Sequence, residues 1–210
     1  MKDEKMIMKE RCREWGLIFS IVFWIGAAVE IFVIISGLWI GSQPASAFEI
    51  SLTDTPSGLF GIVECTGAGS GFPGNILASR LEFDPGVLNE AAQQAPKYIF
   101  MAEYFSHAAA CIPLPAILWY LRKIFRNIKH CETPFIKDNS RSIFKIGVAV
   151  MLFIAIEQNL FPFLAVIKGV STERFVFVDL GWIVPGSLFF CLSAIFEYGR
   201  VLQQESDETL

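Results

Sequence analysis

Four stretches of this chain carry neither lysine nor arginine: 16–41, 98–121, 146–167 and 176–199. They are 26, 24, 22 and 24 residues long, and none of the 17 basic residues falls within them. At 1.5 Å of rise per residue, about 20 apolar residues cross the ~30 Å hydrocarbon core of a bilayer. Backbone groups in lipid must satisfy one another, and the period-2 alternation of barrel strands is missing, so four transmembrane helices follow. Composition points the same way. With 53% hydrophobic residues, 20 Phe and 5 Trp in 210 residues, the chain has more apolar surface than one aqueous core hides. That excludes a disordered chain and argues against a soluble enzyme. The expected fold class is all-α: a polytopic membrane protein, a four-helix bundle in one domain.

Orientation comes from the basic residues between the spans. Five lie in the tail 1–15, seven in 122–145 and one in 200–210, against two in 42–97 and two in 168–175. Both termini and the middle loop are therefore expected in the cytoplasm, with 42–97 and the short 168–175 loop outside. The first span follows a basic stretch and precedes Ala45-Ser46-Ala47, which resembles a signal-peptide cleavage site. A cleavable apolar region runs about 7–15 residues, whereas this one runs 26 with Glu30 inside it. It is expected to be retained.

The middle loop is net +5 and the outer loop net −4. A basic segment beside a membrane meets anionic lipid headgroups, and direct nucleic-acid binding is not expected. Turn signals at Thr55-Pro56-Ser57-Gly58 and Asp84-Pro85-Gly86, with apolar pairs such as Leu59-Phe60 between them, allow a hairpin or small cap in the outer loop. A short helix is expected near Val87–Gln94. The glycine-rich run Gly67–Gly74 lacks the Gly-Lys-Ser/Thr ending of a phosphate loop. Of the five cysteines, only Cys65 reaches the oxidising side, so no outer-loop disulfide forms within the chain; Cys12 and Cys131 are cytoplasmic, and Cys111 and Cys191 lie within spans. No C-x-x-C occurs, and His107 and His130 fall in different compartments, so no metal site and no cofactor are expected.

Five charges lie inside the spans, and all are acidic: Glu30, Glu103, Glu157, Asp179 and Glu197. A carboxylate at mid-membrane costs about 2.5–3.5 kcal/mol on insertion scales, so each is neutralised, paired or facing water. Glu30 and Glu157 fall near the midplane. Glu103 and His107 stand at i and i+4 on one helix face, with His107 reaching the same layer. Glu30, Glu103, His107 and Glu157, with Asn159 nearby, either form a pocket for a proton or cationic ligand or act as interhelical hydrogen-bond glue. Pro113 and Pro115, Pro162, and Pro185-Gly186 are expected to interrupt the later helices. No G-x-S-x-G or H-E-x-x-H occurs, and the chain is not read as an enzyme.

Two cytoplasmic stretches carry a resemblance. Thr133-Pro134-Phe135 through Asn139, with Ile146-Gly147 beyond it, has the form P-F-x-x-x-N followed by I-G. The chain closes on Phe196 and Gly199, then Leu202, Glu205, Asp207 and Leu210, of the form F-x-x-G-x-x-L-Q-x-E-x-D-x-T-L. With four spans, these resemble the bacterial membrane proteins grouped as domain of unknown function 2975. The resemblance implies a multi-pass protein of the bacterial inner membrane without an assigned activity, and a role in signalling as membrane partner of an Xre-type helix-turn-helix regulator. Pro134, Phe135, Asn139, Gly199, Leu202, Glu205 and Asp207 are then the partner-binding candidates. Read physically, Asp138 or Asn139 N-caps the third membrane helix, while the acidic tail either folds back on the basic loop or docks a partner. A small transporter or permease-like protein, moving a proton or cationic solute through the Glu30/His107/Glu157 layer, is the alternative from another class.

Overall fold

A computed structural model describes residues 2–55, 58–65, 80–83, 95–130, 133–168 and 180–209. Helix α1 (Lys2–Gly41) is followed by a 3-10 turn at Ala45–Ala47 and strands β1 (Phe48–Thr55), β2 (Gly58–Cys65) and β3 (Arg80–Phe83). Helices α2 (Pro96–Cys111), α3 (Pro113–His130), α4 (Lys137–Ile167) and α5 (Leu180–Glu208) complete the order. Among the described residues, three helical stretches are long and apolar enough to cross a membrane: Glu10–Gly41, Pro96–His130 and Lys137–Ile167. Their outer surfaces fit that reading. Along α1, Ile21, Trp24, Ile25, Ile31 and Leu38 are each about three-fifths exposed, an apolar surface far beyond what a soluble monomer leaves to water.

Helices carry most of the described chain, and the segment read as the outer loop adds a small sheet that an all-α class does not cover. Its order is β1-β2-β3, antiparallel throughout. Phe48 stands opposite Cys65 and Thr55 opposite Gly58. This is the hairpin that the Thr55-Pro56-Ser57-Gly58 signal marks, since two residues between paired strands are the commonest hairpin connection. The Gly67–Gly74 run, the Asp84-Pro85-Gly86 turn, the Val87–Gln94 helix, Cys131 and Asp179 lie outside the described residues.

Proline acts differently at the three places where interruption is expected. The second span breaks: α2 ends at Cys111 and α3 starts at Pro113, where a missing N–H costs nothing because first-turn donors have no intrahelical partner. Pro162 and Pro185 instead sit inside continuous helices. The N-cap expectation is also corrected. Helix α4 already begins at Lys137, so Asp138 and Asn139 stand within its first turn.

The chain divides into two units, Met1–Ala28 with Cys111–Ile154 and Val178–Leu210, and Val29–Ala110 with Ala155–Phe177. In the first, Ile124, Ile143 and Ile146 form the buried centre, with Ile117, Tyr120, Phe189 and Phe196 packed against it. Ser140 and Ser193 join α4 to α5 reciprocally: the Ser140 hydroxyl donates to the Ser193 carbonyl at 3.1 Å, and the Ser193 hydroxyl to the Ser140 carbonyl at 2.9 Å. Small residues let these helices approach, and at Gly186 a Cβ would overlap the Met151 sulfur.

In the second unit, Ile40, Phe48, Cys65, Ile99, Phe100, Tyr104 and Ala165 share one core. Phe48 meets Phe100 edge-on at 5.4 Å, which seats the first strand against α2. The Lys97 ammonium donates to the Gln43 carbonyl at 2.7 Å, and the Tyr98 hydroxyl to the Leu164 carbonyl at 2.7 Å. Lower on α2, the Tyr104 hydroxyl donates to the Val33 carbonyl at 2.6 Å.

Candidate functional site

Three of the expected intramembrane polar residues meet in the second unit. Glu103 and His107 lie one helical turn apart on α2, which brings their side chains over one another. His107 Nε2 is 3.1 Å from Glu103 Oε1, and His107 Nδ1 is 2.9 Å from Glu157 Oε1 on α4. One imidazole therefore bridges carboxyl groups from two helices.

Proton bookkeeping limits the states of this triad. A neutral imidazole has one N–H and one lone pair, so it satisfies both neighbours only by donating to one carboxylate and accepting from a protonated partner. An imidazolium satisfies both by donating twice. These two arrangements hold the same number of protons and the same net charge, and they differ by the transfer of one proton along a hydrogen bond.

The remaining two candidates do not join it. Glu30 makes no hydrogen bond to the triad, and its Oε1 is buried without a partner. Asn159 turns to its own helix, donating to the Ala155 carbonyl at 3.0 Å, the back-bonding expected of a short amide inside a helix. Glu103 Oε2 is buried and unpartnered, so the triad keeps an unused acceptor. Among the described residues no group of three or more His, Cys, Asp or Glu is placed to hold a metal ion.

The partner candidates divide in two within the first unit. Phe135 lies against Gly199, where a Cβ would come within 2.7 Å of the ring, and its ring meets Phe196 at 5.3 Å. Asn139 is fully buried. Its amide donates to the Pro134 carbonyl at 2.9 Å, and its Oδ1 accepts from Asn127 at 2.9 Å. Phe135, Asn139 and Gly199 thus hold the loop before α4 onto α3 and α5 and offer little to a partner. Leu202, Glu205 and Asp207 are exposed on the last turns of α5. Among the described residues, Glu205, Asp207 and Glu208 pair with no base of 122–145; instead Gln204 donates to Glu208 at 3.0 Å.

Residues 87–210 match the family described as protein of unknown function, DUF2975. The chain belongs to that family. The DUF2975 match takes in α2 to α5, hence Glu103, His107, Glu157 and both sequence motifs, and leaves α1 with Glu30 and the three strands outside. No curated protein and no solved structure matches this DUF2975 chain. One feature escaped the reading of the sequence. Arg13, Arg122, Arg126 and Lys129, there counted as topology charges, line one pocket; the signal was present in the i, i+4, i+7 spacing of the three on α3.

Proposed function

We propose that this chain is a multi-pass regulatory protein of the bacterial cytoplasmic membrane, with both termini inside, α5 as its fourth span and its basic middle segment at anionic headgroups. Its cytoplasmic partner is an Xre-type helix-turn-helix regulator, which docks on the end of α5. The observation that carries this reading is the exposure of Leu202, Glu205 and Asp207 on a helix continuing to Glu208, while Phe135, Asn139 and Gly199 brace the loop beside it. An exposed apolar side chain flanked by acids suits a basic, amphipathic partner surface.

The test is co-expression with an Xre-type helix-turn-helix protein. Wild-type chain retains that regulator on membranes, and Leu202→Asp or the pair Glu205→Lys and Asp207→Lys releases it. A regulator that stays soluble with the wild-type chain overturns the reading. Reporter fusions at residue 210 and within 66–79 check the orientation, which fails if both report the same side.

A second reading is favoured by the triad: a small transporter moving a proton or cationic solute, with His107 passing a proton between Glu103 and Glu157. In proteoliposomes, loss of proton flux in Glu157→Gln supports it, and equal flux in wild type and variant removes it.

A further inference from the structure

The pocket lined by Arg13 and Arg122 lies within the first unit as an open groove of about 220 Å³. Helix α1 contributes Cys12, Arg13, Gly16, Leu17 and Ser20, and α3 contributes Arg122, Phe125, Arg126, Lys129 and His130. Each set follows helical spacing, so each is one stripe of one helix. The walls are fixed by packing. Phe19 stacks on Phe125 at 5.4 Å with 16° between the rings, and a Cβ at Gly16 would stand 3.7 Å from that of Phe125. Arg122 lies 5.5 Å over the Trp119 ring, which restricts its side chain before any ligand arrives.

Among the described residues, none of the four cations is paired with a carboxylate; the acid pair nearby is Lys123 with Asp138, at 3.3 Å, and Lys123 does not line the pocket. Glu10 and Glu14 are close in sequence to Arg13 on α1 and are absent from the lining. Three guanidinium groups and an ammonium, with the Ser20 hydroxyl and His130 beside them, form a donor set for a phosphate, because planar N–H forks match its oxygens two at a time.

Size and depth narrow the source. The volume is below the roughly 300–1,000 Å³ of sites for drug-sized ligands, which suits a phosphate-bearing headgroup and not a nucleotide. Arg13 precedes and Arg122 follows the apolar stretches 16–41 and 98–121, where phospholipid phosphates lie. Trp15 and Trp119, both half exposed, sit at the same ends, as aromatic residues do at membrane interfaces. Leu17 and Phe125 supply an apolar side for the start of an acyl chain.

We propose that the pocket between α1 and α3 is a specific site for the phosphate of an anionic phospholipid headgroup, holding one lipid per chain. The proposal deepens the headgroup contact proposed for the basic segment and is independent of the regulator and of the orientation. It includes Arg13 from α1, outside the DUF2975 match.

Native mass spectrometry of the full chain in mild detergent tests it, with phosphatidylglycerol, phosphatidylcholine or glycerol phosphate added. The wild type retains one phosphatidylglycerol and neither of the others. Arg122→Gln with Arg126→Gln lowers retention at least about tenfold, since hydrogen bonds to charged groups are the strong ones. Arg141→Gln with Lys145→Gln removes equal charge outside the pocket and leaves retention unchanged. Gly16→Leu fills the pocket without altering charge and abolishes retention; should it lose helix content by circular dichroism, the two charge-matched pairs decide. Equal losses in both pairs, equal retention of phosphatidylcholine, or binding of glycerol phosphate in place of the lipid overturns the proposal. Loss of lipid retention while the regulator is still recovered would remove this site and leave the regulatory reading standing.

Discussion

Replacing Gly199 by alanine should destabilise this protein, although alanine is the better helix former. The added methyl would stand 2.7, 2.9 and 3.1 Å from Cδ1, Cε1 and Cγ of Phe135, against about 3.5–4.0 Å for carbon atoms in ordinary contact. The ring cannot yield freely. It packs on Phe196 at 5.3 Å, and its backbone N–H donates to the Thr133 hydroxyl at 3.1 Å. Overpacking of this kind costs about 1–3 kcal/mol, and the helix-propensity gain of alanine over glycine returns roughly 1 kcal/mol. The net expectation is a loss of about 1 kcal/mol. In a Phe135→Ala background the obstacle is gone, and the same substitution should stabilise by up to about 1 kcal/mol. The sign therefore reverses between backgrounds, with a coupling of roughly 1–3 kcal/mol. Unfolding of the four chains by titrated dodecyl sulfate in mixed micelles, followed by circular dichroism, measures the cycle. Identical effects of Gly199→Ala in both backgrounds would refute the contact as the cause.

Four further substitutions probe the same unit. Asn139→Ala leaves the half-buried Asn127 amide and Pro134 carbonyl without their partner and should cost about 1–3 kcal/mol, read as earlier proteolysis at 133–136. Ser140→Ala and Ser193→Ala should each cost on the order of 0.6 kcal/mol, with the double variant losing less than the sum because the hydroxyls share partners. By contrast, Asp138→Ala removes a 3.3 Å pair with Lys123 whose two side chains are 34% and 56% exposed. It should cost less than about 1 kcal/mol, and that cost should disappear in molar salt; a salt-independent loss would mean that Asp138 does something besides pairing.

What the sequence made legible follows from which interactions are local. Missing lysines and arginines marked the three stretches long and apolar enough to cross a membrane, because lipid excludes charge whatever the tertiary packing. Glu103 and His107 were readable as neighbours from helical spacing, and a two-residue turn signal located the hairpin. Glu157 completing the triad depends on how α4 lies beside α2, which no spacing encodes. Asn139 looked like a helix cap and became a buried tie to Asn127, because its partner comes from a different helix. Phe135 and Gly199 looked like a recognition surface for a related reason: a motif shows that positions matter together and is silent on whether they face a partner or each other. Pro113 opens a helix whereas Pro162 and Pro185 sit inside continuous ones, a distinction that the missing N–H of proline does not by itself encode.

Between Gln43 and Lys97 the chain leaves the helices and returns, and the two ends meet. The Lys97 ammonium reaches the Gln43 carbonyl, and Phe48 sits over Phe100. A stem closed in this way bears the cost of joining its ends at one place, and lengthening the enclosed segment adds little, about 0.6 kcal/mol per doubling. The stretch between β2 and β3 is thus an insertion port: an epitope, a fluorescent domain or a fiducial for microscopy grafted there should leave α1 and α2 joined as they are. The same cargo placed at Cys111–Pro113 would part α2 from α3, which only residue 112 separates in the chain.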